Sequence, residues 1–239
     1  MQLHALVPIR ASNSPFRLRA AARSLREPQQ APALLMLEQS LLEIEAAGGL
    51  ELSGVGLPTD KLMCDAGVPG SGEGEDEAAR AFATWGPRAR ESLDRACDAL
   101  APGLRESGVT LVLRPDARQI LPDVPSVLTF LRKRADQPFE VILDPMALLT
   151  ESMVERAEDH LARALDAAAG HPGVPMMLLT NVRRADAGGL EPSPVNHGLI
   201  DPRLILKLVR ASWPAHKPIL LPARSEAELH AQFDLLMTG

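Results

Sequence analysis

The stretch GVTLVLRPD, Gly108 to Asp116, decides how the chain is to be read. A glycine ends a long helical segment, because it takes up the left-handed conformation of a helix C-terminus at little cost. The apolar residues Val109 to Leu113 then read as a strand buried on both faces. The strand stops at Arg114-Pro115, where a residue before proline is pushed out of helical space and the chain turns out of the core. An arginine stays charged at any relevant pH. At the end of a buried strand it therefore requires a partner or a ligand.

Downstream of this stretch the pattern repeats. Val124–Arg134 reads as a helix, Phe139–Leu143 as a strand and Glu151–Ala169 as a helix with Met153, Val154, Ala157, Leu161, Ala164, Leu165 and Ala168 on one face. Pro175–Leu179 is a strand, Pro202–Ala211 a helix, Pro218–Leu221 a strand and Glu226–Met237 a closing helix. Thr150, Asp201 and Ser225 stand where helix caps belong, and Gly108 and Gly170 where helices end. Short apolar strands separated by helices are expected to lie parallel, joined by right-handed crossovers. The strands at 109–113, 139–143, 175–179 and 218–221 are expected to be adjacent in that order.

The first half is less regular. Leu3–Val7 reads as a strand and Ala33–Ala47 as an amphipathic helix stopped by Gly48-Gly49. Leu50–Leu57 and Leu62–Cys64 are candidate short strands. Gly67 to Glu77 reads as a solvated loop: it lacks the Lys-Ser/Thr of a phosphate loop, and its four carboxylates repel phosphate. A long helix is expected over Glu77–Glu106, kinked or divided by Pro87 and Pro102. Together these elements suit one α/β domain over residues 1–239, a (β/α)8 TIM-type barrel with an irregular or incomplete N-terminal half. The competing open sheet of Rossmann or flavodoxin type lacks support, since no strand is followed by GxGxxG.

Composition narrows the function classes. Of the 239 residues 46% are apolar and only 3% aromatic, with no tyrosine, so the core is built from aliphatic residues and no stacking surface for nucleic acid is expected. A net charge of −6 argues against general attraction to nucleic acid or an anionic membrane. Cys64 and Cys97 have no metal-ligand spacing and read as buried thiols. No apolar run approaches the roughly 18 residues of a membrane span, and the N-terminal stretch lacks a signal peptide's apolar segment, so a cytoplasmic location is expected.

From Arg88 to Met237 the chain resembles the xylose-isomerase-like TIM barrels, which include sugar phosphate isomerases/epimerases and endonuclease IV. Four stretches carry the resemblance. ESGVTLVLRPD resembles a strand that ends in Glu-Pro. FEVILDPMALL resembles a Leu-Asp-Pro-Gly-His-Leu strand end. VPMMLLTNVRRAD resembles a His-Leu-Lys-Asp strand. NHGLIDPRLILKLVRASWPAHKPILLPAR resembles the Gly-Glu-Gly-Asp-Val-Asp helix and a last strand ending in glutamate. The resemblance implies sugar or sugar-phosphate chemistry around a divalent metal held by Glu, Asp, His and Glu. Here those places hold Arg114, Asp144, Ala147 with Thr180/Asn181 on the histidine strand, and Pro222 or Ala223, with Arg224 next. One ligand, Asp144, remains. The metal centre is therefore expected to be lost, with no metal and no cofactor.

If the strand ends form a barrel mouth, Arg114, Arg224 and Arg183 stand around it with Asp144 among them. Arg114 either pairs with Asp144 as an internal ion pair or binds an anion; its planar fork suits both. Expected ligand-binding residues are Arg114, Asn181, Arg183 and Arg224. Expected catalytic residues are Arg114 as electrophile with Asp144 or His197 as base. Asp65 ends a possible strand and is a further candidate for the mouth, whereas His160, His171, His216 and His230 are expected at the surface. The function expected is that of a divergent, metal-free isomerase/epimerase-like barrel binding a small anionic carbohydrate. The alternative is a pseudoenzyme, a non-catalytic barrel serving as a protein-interaction or structural module.

Overall fold

The structure, a computed structural model, describes residues 2–8, 18–27, 29–52, 57–68, 84–186 and 188–238. Its centre is a closed eight-stranded barrel. The strands are β1 (Gln2–Pro8), β2 (Leu18–Ser24), β3 (Leu34–Leu37), β4 (Lys61–Asp65), β5 (Thr110–Arg114), β6 (Phe139–Leu143), β7 (Met176–Leu178) and β10 (Pro218–Pro222). A separate hairpin, β8 (Asn181–Arg184) and β9 (Leu190–Ser193), follows β7. Helices α1 (Leu41–Ala46), α2 (Pro87–Ser107), α3 (Val124–Lys133), α4 (Ala157–Ala168), α5 (Pro202–Ser212) and α6 (Glu226–Thr238) occupy the connections.

The order around the barrel is β1-β10-β7-β6-β5-β4-β3-β2. The pairs β5–β6, β6–β7 and β7–β10 are parallel and adjacent, as their short apolar runs require. β5 lies four strands from β1 in either direction, directly across the barrel. Leu6, Ala20, Ala22, Leu34, Met36, Met63, Val112, Ile142, Met176, Leu178 and Leu220 fill the interior as one buried cluster. The alternate residues pack outward against the helices, which is the two-residue period of a strand covered on both faces. At the head of β5, Gly108 takes φ 66° as the helix C-cap, and its neighbour Val109 donates back to Leu104 O at 3.0 Å.

The first half departs from regular β/α repetition. β2 runs antiparallel to both β1 and β3, so seven strands share one direction and one is reversed. The helix expected over Ala33–Ala47 is instead strand β3 followed by α1. Leu34, Leu37, Leu41 and Ile44 are spaced as on one helical face, but Leu34 to Leu37 are all buried, as in a strand covered on both faces. The true helix start is the capping box of Ser40 and Glu43.

Other expectations are adjusted locally. Residues 50–52 and 57 form no strand, and 53–56 lie outside the described residues. Of the expected loop at Gly67 to Glu77 and the expected helix from Glu77, residues 69–83 lie outside as well. Pro87 opens α2 after the Gly86 N-cap rather than kinking a longer helix, and Pro102 sits within it. Thr150 makes no capping bond; its hydroxyl pairs with Ser152, and Glu151–Arg156 is a 3-10 segment leading into α4. Asp201 caps α5 as expected, through Arg203 N at 2.9 Å. Both cysteines are buried free thiols. No helix among the described residues is long and apolar enough to cross a membrane.

Candidate functional site

The inward positions continue past the apolar interior towards the C-terminal strand ends. Asp65, Arg114, Asp144 and Thr180 each come two residues after an interior residue, namely Met63, Val112, Ile142 and Leu178. The strand period therefore aims all four into the barrel. Asp144 is completely buried. Its Oδ2 accepts from Arg114 Nη2 at 2.9 Å and Nε at 3.2 Å. Its Oδ1 accepts from the Thr180 hydroxyl at 2.8 Å and from Ala147 N–H at 3.3 Å. The Arg114 side chain is 11% exposed. Burial disfavours its charge, but Asp144 and Asp65 outweigh that and hold the guanidinium above its ordinary pKa.

Asp65 stands beside Arg114 in the β4–β5 register, with Oδ1 at 3.7 Å from Arg114 Nη1. Burial pushes its carboxyl up, and the positive charges of Arg114 and Arg19 only partly oppose this. Asp116, just beyond β5, goes the other way: hydrogen bonds from the Arg118 backbone and side chain outweigh its burial and hold it below the ordinary range.

Above this floor a cavity of about 460 Å³ opens between the C-terminal strand ends, within the range of small-molecule sites. Leu6, Ala20, Met36 and Leu178 form its apolar base, and Arg114 and Thr180 reach it from one side. Arg19 and Arg224 reach it from the other, on β2 and just after β10, which flank β1. Both side chains are exposed, and neither guanidinium forms an ion pair among the described residues, although Glu228 accepts from the Arg224 backbone N–H at 2.6 Å. Arg19 is there because of a bulge. Leu18 pairs with Leu37 and Ala20 with Met36, so Arg19 is the extra residue whose side chain is re-aimed.

The β8–β9 hairpin supplies the remaining wall through Glu191, Pro192, Ser193 and Pro194. Asn181 pins its base. The amide Nδ2 donates to Ile200 O at 2.8 Å and Val195 O at 3.3 Å, while Oδ1 accepts from Val182 N and Ile200 N. Gly198 packs so closely that an added Cβ would stand 2.3 Å from the Asn181 side chain. Gln232 of α6, fully buried, accepts from Val195 N and donates to Pro222 O, tying the hairpin's return to the end of β10.

The sequence-derived candidates therefore separate. Arg114 and Arg224 line the cavity, and Asp144 lies beneath it as Arg114's partner. Asn181 is buried in the hairpin base rather than in the cavity wall. Arg183 is exposed on the hairpin and paired with Glu191. His197 is exposed outside the cavity, its carbonyl held by the Ser193 hydroxyl. Sequence reasoning missed Arg19, whose only signal was an arginine between apolar residues of an unrecognised strand. It also missed Glu191, which lies on an unrecognised hairpin.

The donor set does not fit the divalent metal that the family resemblance implies. Both Asp144 oxygens are occupied by hydrogen bonds, and a permanent cation, Arg114, stands beside them. Among the described residues no three His, Cys, Asp or Glu side chains come together to hold a metal ion.

No protein-family model matches the sequence, and no curated protein matches it. Solved structures do show similarity. The chain is similar to a xylose isomerase domain containing protein from Salmonella typhimurium at 14% identity and TM-score 0.49, covering 84% of this chain and 72% of that one. It is similar to the probable 3-DHS dehydratase AsbF from Bacillus anthracis at 15% identity and TM-score 0.45, covering 76% and 64%. A third is a xylose isomerase-like TIM barrel protein from Mycobacterium smegmatis, in complex with magnesium, at 11% identity and TM-score 0.42, covering 75% and 60%. In the last two the chain spans less than two thirds of the solved protein's length.

Proposed function

We propose that the chain binds a small anionic carbohydrate, a sugar acid or sugar phosphate, at the C-terminal mouth of its barrel, without a metal. The observation that carries this reading is the open cavity with Arg19 and Arg224, two arginines whose guanidinium groups form no ion pair among the described residues, on one flank. An arginine fork matches phosphate or carboxylate oxygens in two-pronged fashion. The apolar base accepts the carbon face of a sugar, and Thr180, Ser193 and Glu191 offer polar groups to its hydroxyls.

The geometry supports binding further than it supports turnover. Asp144 has no free lone pair in position to take a proton, because four donors already use its carboxylate. His197 is outside the cavity. A non-catalytic barrel that recognises a ligand is therefore favoured over an isomerase built on Asp144 and His197.

Titration calorimetry on the full chain tests the reading with D-glucose 6-phosphate and D-glucose. The phosphate ester is expected to bind at least about tenfold more tightly than glucose. Its affinity falls as NaCl is added and drops about tenfold in Arg224→Gln. Equal binding of the two sugars, or none by either, would overturn the proposal. Elemental analysis tests the metal-free part: one Mn or Zn per chain, lost in Asp144→Asn, would defeat it.

A further inference from the structure

We infer that Asp65 and the free edge of Arg114 form a hydroxyl-reading pair, which selects among anionic ligands for those carrying a hydroxyl at the end opposite their charge. This rests on the anion-binding reading above and adds to it a specificity-determining residue, Asp65, and an orientation for the ligand.

Two unspent hydrogen-bonding atoms face each other at the ends of β4 and β5. Asp65 Oδ1 is buried without a hydrogen-bond partner. Arg114 directs Nε and Nη2 to Asp144, while its Nη1 has, among the described residues, only Asp65 Oδ1 at 3.7 Å, too long for a hydrogen bond. A buried acceptor left without a donor is costly, and so is a guanidinium edge left without an acceptor. One kind of ligand group satisfies both atoms at once. A hydroxyl oxygen accepts from Nη1 and its proton is donated to Oδ1. A carbonyl can only accept, a methylene does neither, and an ammonium donates but is repelled by Arg114.

The charge distribution sets the direction in which a ligand lies. At the ends of β4 to β6 two carboxylates, Asp65 and Asp144, share one ion-paired cation, Arg114, and Arg19 acts on Asp65 only from farther off. On the β10–β1–β2 flank stand Arg19 and Arg224, with one carboxylate, Glu228, held on the Arg224 backbone N–H. An anionic group is drawn to the second flank and kept off the first. The far end of the same molecule then meets Arg114 at the cavity wall, with Asp65 beside it, its side chain 29% exposed and its Oδ1 buried behind the Arg114 edge.

Calorimetry on the full chain with D-gluconate, hexanoate and 6-aminohexanoate separates the alternatives. All three carry one carboxylate on a six-carbon chain. Gluconate is expected to bind about tenfold or more tightly than hexanoate, as a hydrogen bond to a charged group provides. The amino acid gains nothing over hexanoate. Asp65→Ala brings the gluconate-to-hexanoate ratio close to one. Asp65→Asn, which keeps the side-chain shape, narrows the same ratio and serves if the alanine variant does not fold, which thermal unfolding reveals. The inference is overturned if gluconate and hexanoate bind the wild type equally, or if the ratio survives both Asp65 variants. Acid binding that still depends on Arg224 would then leave the anion reading standing. If no acid binds at all, both fall.

Discussion

On one flank of the mouth Arg114 is 11% exposed and gives two N–H bonds to a fully buried aspartate. On the other, Arg19 and Arg224 are exposed, and neither guanidinium forms an ion pair among the described residues. All three side chains line the same cavity and carry the same charge. What separates them is depth. At the floor, water cannot pay for the charge, so the fold has to supply Asp144, with Thr180 and Ala147 completing the carboxylate's bonds. At the rim, solvent screens the charge, and an unpaired arginine costs the fold little and remains open to a ligand. The identity of a residue in a mouth is thus a poor guide to its role until its burial is known.

The largest effect should come from breaking the floor pair. Arg114→Met or Asp144→Asn alone is expected to cost about 3–5 kcal/mol in denaturant unfolding, since each leaves the other group buried without its closest opposite charge. The double variant should lose clearly less than the sum of the two. Strictly additive losses would mean that the two groups do not support one another and that floor and rim arginines are alike.

The next effect concerns the rim's imported wall. Asn181→Ala removes four buried hydrogen bonds at the base of the β8–β9 hairpin and is expected to cost about 2–3 kcal/mol. Trypsin should then cut faster at Arg183 and Arg184. Unchanged cleavage would show that Gln232 alone holds the hairpin to the barrel.

Replacing both rim arginines, Arg19→Gln with Arg224→Gln, should leave stability within about 0.5 kcal/mol of wild type in the same unfolding assay. A loss comparable to that of Arg114→Met would remove the distinction between the flanks.

The smallest effect has a pH signature. Burial raises the Asp65 pKa, so the folded chain keeps that proton to a higher pH than the unfolded chain does. Folding takes up a proton between the unfolded value of about 3.9 and the raised folded one, and stability is lost as pH rises through that window. Charged Asp65 is therefore a net cost at pH 7. Asp65→Asn should unfold at a slightly higher urea concentration than wild type at pH 7, with the gap closing as pH falls towards about 4. A less stable variant at pH 7 would show that attraction to Arg114 outweighs burial. A stabilised one would mark Asp65 as a residue kept at a cost to the fold, consistent with a ligand-reading role.

From Gly108 onward the barrel was legible, because a strand buried on both faces is a short apolar run and each helix shows an apolar stripe between recognisable ends. Arg114 and Asp144 were legible too, as charged residues just past such runs and before prolines. The first half was not. β2 is mostly alanine and arginine, which carry little strand signal, and its place is determined by pairing with β1 and β3 on either side. β3 and α1 share a spacing that also fits one helix, and only burial on both faces separates them.

By itself the sequence determined which segments alternate, where most helices begin and end, and that an arginine stands at a buried strand end with one aspartate in reach. Tertiary structure alone decided that Arg114 belongs to the floor, that a bulge turns Arg19 into the mouth, and that Asn181 and His197 serve or border the hairpin instead of the cavity. Local patterns report the period of a backbone and the polarity of its faces. Depth, register and the closure of the barrel arise from contacts between distant residues, and these set which charges must be paired and which remain free to meet a ligand.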